Sequence, residues 1–230
     1  MSLATTQYLS TAGDSATLSI TGDLTIEGWL LSESSLPDKS GRYVFGKYGV
    51  DGQRAYQVML QHDEANLGQG EHLMLYVGPA SASGTVFLQF GVPLSVATGT
   101  WAHVAVVYSA SQVTASFYAD GQLLDVKSGL PPALHDSTAR FRIGALDTSN
   151  PSDLVGATWN GRISEVRVWS VARTAQEIDS TRLVTVSPQP GLQGYWPLNI
   201  DLLDATGNGN DLSAVNGAAL VAGGPPVCGN

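Results

Sequence analysis

The sequence predicts an all-β domain in which two antiparallel sheets pack as a sandwich, with one short helix. Three observations carry this. Short runs alternate apolar and polar residues along most of the chain, the period-2 signature of half-buried strands. Charged residues make up only 13% of the 230, against roughly 25% in an average soluble domain, while 26 glycines supply turns. Asp120-Gly121 sits between two alternating runs, where a two-residue hairpin needs positive φ at both central positions.

The elements follow in chain order. Within residues 24–30, Leu24, Ile26 and Leu30 share one face. Strands are predicted next at 43–46, 55–60, 72–77 and 85–90. Residues 102–108 place Val104, Val106 and Tyr108 together. Residues 113–119 and 122–126 flank the Asp120-Gly121 turn, and strands at 139–143 and 162–169 follow. Thr174-Ala-Gln-Glu177 is a capping box, so a helix of about two turns is expected over 174–182. Pro188 and Pro190 stop it, and strands are predicted again at 191–198 and 214–221. No internal repeat or long linker divides the chain. We therefore expect one domain over 1–222 and a flexible tail over 223–230.

Composition narrows the function. The net charge is −9, from 11 Lys+Arg against 20 Asp+Glu. No basic cluster exists to neutralise phosphates, so nucleic acid is excluded as a partner, and anionic membrane surfaces are disfavoured. No apolar stretch approaches the roughly 20 residues of a membrane span, so membrane insertion is not expected. Met1-Ser-Leu-Ala-Thr-Thr lacks the basic start and apolar run of a signal peptide. Cys228 is the single cysteine and forms no internal disulfide. The 43% hydrophobic content suffices for a packed core.

Asp204-Ala-Thr-Gly-Asn-Gly-Asn-Asp211 concentrates carboxylates, amides and glycines. Those residues serve equally a surface turn and an oxygen cage for a hard cation. Four segments in order resemble the laminin-G-like and pentraxin-like branch of the concanavalin A-like lectin/glucanase jelly rolls. Gly22-Asp-Leu-Thr-Ile-Glu-Gly-Trp29 resembles that family's "G-D-F-T-I-E-A-W" strand. Trp101-Ala-His-Val-Ala-Val-Val-Tyr108 with Phe117-Tyr-Ala-Asp-Gly121 is similar to "W-x-H-V-A-V-T-Y … Y-V-D-G". Asn160-Gly-Arg-Ile-Ser-Glu-Val-Arg-Val-Trp169 with Ala175-Gln-Glu-Ile178 resembles "N-G-x-I-D-E-V-R-I-W … S-x-E-I". Gly194-Tyr-Trp-Pro-Leu198 followed by 204–211 resembles "Y-W-x-L … D-x-S-G-N-G-N-x-G".

The resemblance implies a jelly-roll sandwich of two curved antiparallel sheets, with loops gathered along one edge. It implies calcium at the matching positions Asp204, Asn208, Asn210 and Asp211, although Ser164 stands where the pattern has Asp. It also draws attention to an acidic loop carrying Asp147, Asn150 and Asp153, with Asp51 nearby, which in pentraxins corresponds to a calcium-dependent ligand site. The carboxylate spacing of the fold's glycanases, Glu-x-Asp-x-x-Glu, is absent, so catalysis is not expected. Trp29, Trp101, Trp169 and Trp196 lie in strands and are expected in the core, with His103 packed beside Trp101. Neutral sugars stack on Trp or Tyr while polar groups satisfy their hydroxyls. Trp159 and Tyr48 sit in loop contexts near Asp51, Arg54 and Asn160, and are the expected platform. The expected function is a non-catalytic lectin-like module that recognises a glycan or polysaccharide at the loop edge, with calcium supporting the loops. The alternative is an adhesion or spacer domain binding a protein partner. By resemblance, the setting is extracellular or cell-surface.

Overall fold

The computed structural model describes residues 2–3, 6–37, 39–50, 52–62 and 68–228; Asp51 lies outside them. In chain order the strands are β1 (Ser2–Leu3), β2 (Tyr8–Thr11), β3 (Leu24–Ser32), β4 (Gly41–Tyr48), β5 (Arg54–His62), β6 (Glu71–Val77), β7 (Leu88–Pro93), β8 (Trp101–Ser109), β9 (Thr114–Ala119), β10 (Gln122–Ser128), β11 (Phe141–Ile143), β12 (Gly161–Trp169), β13 (Leu192–Trp196) and β14 (Leu212–Val215). The helix α1 spans Ala175–Thr181. One sheet runs β1-β12-β3-β8-β9-β10, with β13 also on β12; the other runs β14-β2-β11-β4-β5-β6-β7. Every pairing of strands within them is antiparallel.

The inner faces follow the period-2 pattern. Ile26, Leu30, Val104, Val106, Phe117 and Val168 of the first sheet meet Phe45, Val58, Leu60, Leu73, Leu75 and Phe141 of the second in one buried cluster. Trp196 closes one end by stacking on Phe141, with centroids 4.9 Å apart. The Asp120-Gly121 hairpin has the expected φ of 48° and 80°, and Thr174 and Glu177 form both halves of the capping box. Local pattern displaces two strands and misses two, β1 and β2. The strand expected at 85–90 begins at Leu88, and the one expected from 214 begins at Leu212. The Cys228 N–H donates to the Leu183 carbonyl at 2.8 Å, and Val227 is buried.

The two outer faces differ, and this difference sets where a ligand can go. On the first sheet, outward side chains reach the backbone of the segment around α1. Thr25 Oγ1 donates to the Val171 carbonyl at 2.7 Å and Trp29 Nε1 to the Arg182 carbonyl at 2.9 Å. Arg167 donates to the carbonyls of Thr181 and Val184. Ile178 of α1 seats against Ala105, Val107 and Tyr118, a burial worth roughly 2 kcal/mol. At the centre is Glu27, fully buried. Its Oε1 accepts from Trp169 Nε1 at 2.9 Å and from Arg173 at 2.7 Å, and His103 Nε2 lies 3.4 Å from Oε2. His103 is buried as expected, but its ring partner is Trp29, with centroids 5.4 Å apart, whereas Trp101 is only half-buried.

Burial alone would raise the Glu27 pKa, but His103, Arg167 and Arg173 outweigh it and hold the carboxyl at about 2 against an ordinary 4.5. A depressed carboxylate contributes stability above its unfolded pKa that is lost as pH falls through the folded one, here on the order of 3 kcal/mol. Glu27→Gln strands Arg173 among buried neighbours and is expected to cost several kcal/mol at neutral pH, roughly 3–5 by the usual penalty for a broken buried pair. The gap between wild type and variant should narrow as pH drops from about 4.5 to about 2. Denaturant titrations across that range check both expectations.

Candidate functional site

The outer face of the second sheet carries a groove of about 560 Å³. Val58, Leu60, Leu75 and Val77 point into the core, so by alternation Met59, Gln61 and Tyr76 point outward. They line the groove with Tyr43 and Tyr48 of β4, Arg54 of β5, Phe87 just before β7, and Lys39 and Ser40 ahead of β4. Glycine makes room here: a Cβ at Gly41 would lie 2.6 Å from the Met59 methyl. The groove follows β4, whose eight residues span roughly 25 Å.

One end is aromatic. Tyr48 and Tyr76 lie 6.4 Å apart, and Tyr76 meets Phe87 edge-on at 5.3 Å. The Arg54 guanidinium carbon sits 5.2 Å from the Phe87 ring centre, while Nη1 donates to the Thr85 carbonyl. The Tyr76 hydroxyl donates to Gln61 Oε1 at 2.5 Å. The side wall is the 146–157 segment, tied to β4 by bridges between Gly49 and Asp147 and between Tyr43 and Thr158. There Asn150 caps the 3₁₀ turn Pro151–Leu154 by accepting from the Ser152 N–H. Asn150 Nδ2 donates to Asp153 Oδ1 at 3.1 Å and the Thr148 hydroxyl to Oδ2 at 2.7 Å. Asp153 is thereby fixed at the groove wall, with each oxygen keeping a further lone pair. Burial first, and then the Asp153 carboxylate, push the Tyr43 hydroxyl above the ordinary tyrosine pKa, so it stays a neutral donor. Ring faces for the apolar sides of a pyranose, beside fixed donors and acceptors, are what sugar recognition requires.

The structure gathers only part of the expected constellation. Tyr48 and Arg54 line the groove; Asp51 lies outside the described residues. Asp147 does not face the groove: its carboxylate pairs with Arg142 at 2.6 Å and accepts from the Arg140 N–H, which anchors the wall. Asn150 positions Asp153. Asn160 donates to Ser34 Oγ at 2.9 Å and is not among the groove's lining residues. Trp159 is a correction. It is fully buried in the main core, because its N–H donates to Gly144 and the preceding Ala157 carbonyl accepts from the Tyr43 N–H, so the segment pairs like a strand and turns the ring inward. Local reading missed Tyr43, Met59, Gln61, Tyr76 and Phe87. A signal existed: the outward positions of β4–β6 carry aromatic, methionine and amide side chains where a solvated sheet face would carry charge.

Of the four candidate calcium ligands, Asp204 and Asn210 have every side-chain oxygen engaged in hydrogen bonds. Asp204 Oδ1 accepts from the Tyr195 and Thr206 N–H groups and the Thr206 hydroxyl, and Oδ2 accepts from the N–H and Nδ2 of Asn210. Asp211 Oδ1 accepts from the Asp204 N–H, and Asn208 Nδ2 donates to Gln193. Asn210 also donates to Thr17, and its Oδ1 accepts from Ser15. Donors converge on the Asp204 and Asn210 oxygens that a cation would need free, so as arranged these two residues do not fit a calcium site. Among the described residues no group of three or more His, Cys, Asp or Glu is placed to hold a metal ion.

A laminin G family model, described as concanavalin A-like lectin/glucanases superfamily, matches residues 3–179. The chain belongs to the concanavalin A-like lectin/glucanase superfamily. Among curated proteins no sequence matches it. Solved structures similar to it include a candidate carbohydrate-binding protein from Bacteroides ovatus, at 19% identity and TM-score 0.67, covering 91% of this chain and 56% of that one. A heptameric pentraxin from Limulus polyphemus is 14% identical with TM-score 0.62, covering 94% and 91%. Domain 4 of an extracellular arabinanase from Geobacillus stearothermophilus, solved with arabinotriose, is 15% identical with TM-score 0.54, covering 79% and 75%. At these identities the likeness is one of fold. The chain spans little more than half the length of the Bacteroides protein.

Two outcomes test the hydrogen-bonded reading of 204–211. The melting temperature should be the same in millimolar calcium and in chelator, and a rise of several degrees with calcium would contradict it. Asp204→Ala should cost about 2–4 kcal/mol, by the usual penalty for buried donors left unpaired, equally in both buffers.

Proposed function

We propose that this chain is a non-catalytic carbohydrate-binding module whose ligand lies along the outer face of the second sheet, not at the loop edge. The observation that carries this is the groove of Tyr43, Tyr48, Tyr76 and Phe87 with Gln61 and Asp153, on the sheet opposite the one against which α1 packs. The Bacteroides and arabinanase relatives, named for carbohydrate binding or solved with a sugar, support the reading. Among the described residues Asp153 is the only carboxylate lining the groove, whereas glycoside hydrolysis uses two carboxyl groups about 5–10 Å apart. Binding is therefore expected without turnover and without calcium. No helix among the described residues is long and apolar enough to cross a membrane. The extracellular or cell-surface setting belongs to the same proposal.

A protein-binding role draws on a different observation: Leu123, Leu124 and Val126 are exposed on the edge strand β10, where an added strand from a partner would find unpaired backbone. Affinity electrophoresis against a polysaccharide panel, with and without chelator, decides between them. Retardation should be lost or weakened at least tenfold in Tyr76→Ala and Asp153→Ala, as expected when about 1.4 kcal/mol or more of contact is removed, and kept in Leu123→Ser. No retardation by any polysaccharide, or equal retardation of all variants, would refute the sheet-face site. Release of reducing sugar would overturn the non-catalytic assignment.

A further inference from the structure

The groove is chemically lopsided. Lys39, Ser40 and Gln61 line one end, and Asp153 stands in the wall. At the other end Val50 and Phe87 line it while exposing 48% and 43% of their surface, and Val86, next in chain to Phe87, exposes 50%. These two pieces of chain are stitched together. The Gly52 N–H donates to the Gly84 carbonyl at 2.9 Å, and Arg54 donates to Thr85. Phe87 is held by the edge of Tyr76 and by Arg54, so the apolar end is a built surface rather than a loose ring. Aliphatic side chains such as Val50 offer nothing to sugar hydroxyls, whereas apolar side chains left open at the end of a ligand groove suit an apolar occupant.

We propose that the ligand is an amphipathic glycoside: a sugar seated among Tyr43, Gln61 and Asp153, with an apolar aglycone, alkyl or aryl, lying over Val50 and Phe87. This rests on the sugar-binding reading of the same groove. The apolar surface is continuous with that groove through Phe87, which lines both, and this fixes the occupant as part of the same ligand. An aglycone covering these side chains removes apolar area from water on both partners.

The test is calorimetry with methyl, hexyl and phenyl glycosides of glucose, galactose, mannose and N-acetylglucosamine. For at least one sugar, the hexyl or phenyl glycoside should bind about tenfold more tightly than the methyl glycoside. That gain should vanish in Phe87→Ser and in Val50→Asp, two independent substitutions at exposed positions, and Val50→Asp should keep the affinity for the methyl glycoside. Methyl and hexyl glycosides binding with equal affinity would overturn this inference and leave the sugar-binding reading standing. Hexanol and phenol binding as tightly as their glycosides, or no glycoside binding at all, would overturn both.

Discussion

A buried carboxylate organises this molecule. A two-sheet sandwich has two inner faces that bury each other and two outer faces that need not be covered. Glu27, on the outer side of β3, has its Oε1 held by Arg173 and Trp169, which close over it, while Oε2 lies beside His103. Arg173 brings the 171–184 segment with it, and the N–H of Arg173 donates to Thr25 Oγ1. The cost of an uncompensated buried charge thus becomes a device that commits one outer face to structure. Arg167, Trp29 and Ile178 complete that cover. What remains for recognition is the opposite sheet.

On that opposite sheet, the strands supply precision and one loop supplies the wall. Side chains on paired strands are spaced by the ladder, so the separation of Tyr48 and Tyr76 is fixed by register, and Phe87 is held by the edge of Tyr76 and by Arg54. The 146–157 loop would be mobile if left to itself, yet bridges to Tyr43 of β4 and to Gly49 just after it pin its two ends, and Asn150 and Thr148 fix Asp153 within it. A site of this kind loses little side-chain freedom when it binds, which is how a shallow groove reaches useful affinity.

The fold was legible in the sequence because it rests on local pattern. Alternation, the Asp120-Gly121 turn and the Thr174 capping box each report on their own neighbourhood, and each is found in place. The site was legible only in part. Tyr48 and Arg54 stood out by their glycine-rich surroundings, while Tyr43, Gln61 and Tyr76 come from three strands, and only the pairing of those strands brings them to one groove. Trp159 misled for the same reason. Gly156 and Asn160 around it look like a solvated loop, but the pairing of its N–H with Gly144 is a long-range fact. The 204–211 segment was correctly marked as polar and turn-forming, yet composition does not say whether its oxygens face a cation or N–H groups. Asp204 answers with five hydrogen bonds.

The central claim is that recognition belongs to the uncovered face of the second sheet. Backbone amide NMR of the isotopically labelled protein, titrated with soluble oligosaccharides from the polysaccharide that retards it most, tests this most directly. The account predicts perturbations concentrated on Tyr43, Met59, Gln61, Tyr76 and Asp153, with α1 and the strands beneath it unmoved. Perturbations centred on 204–211, or on β10, would contradict it.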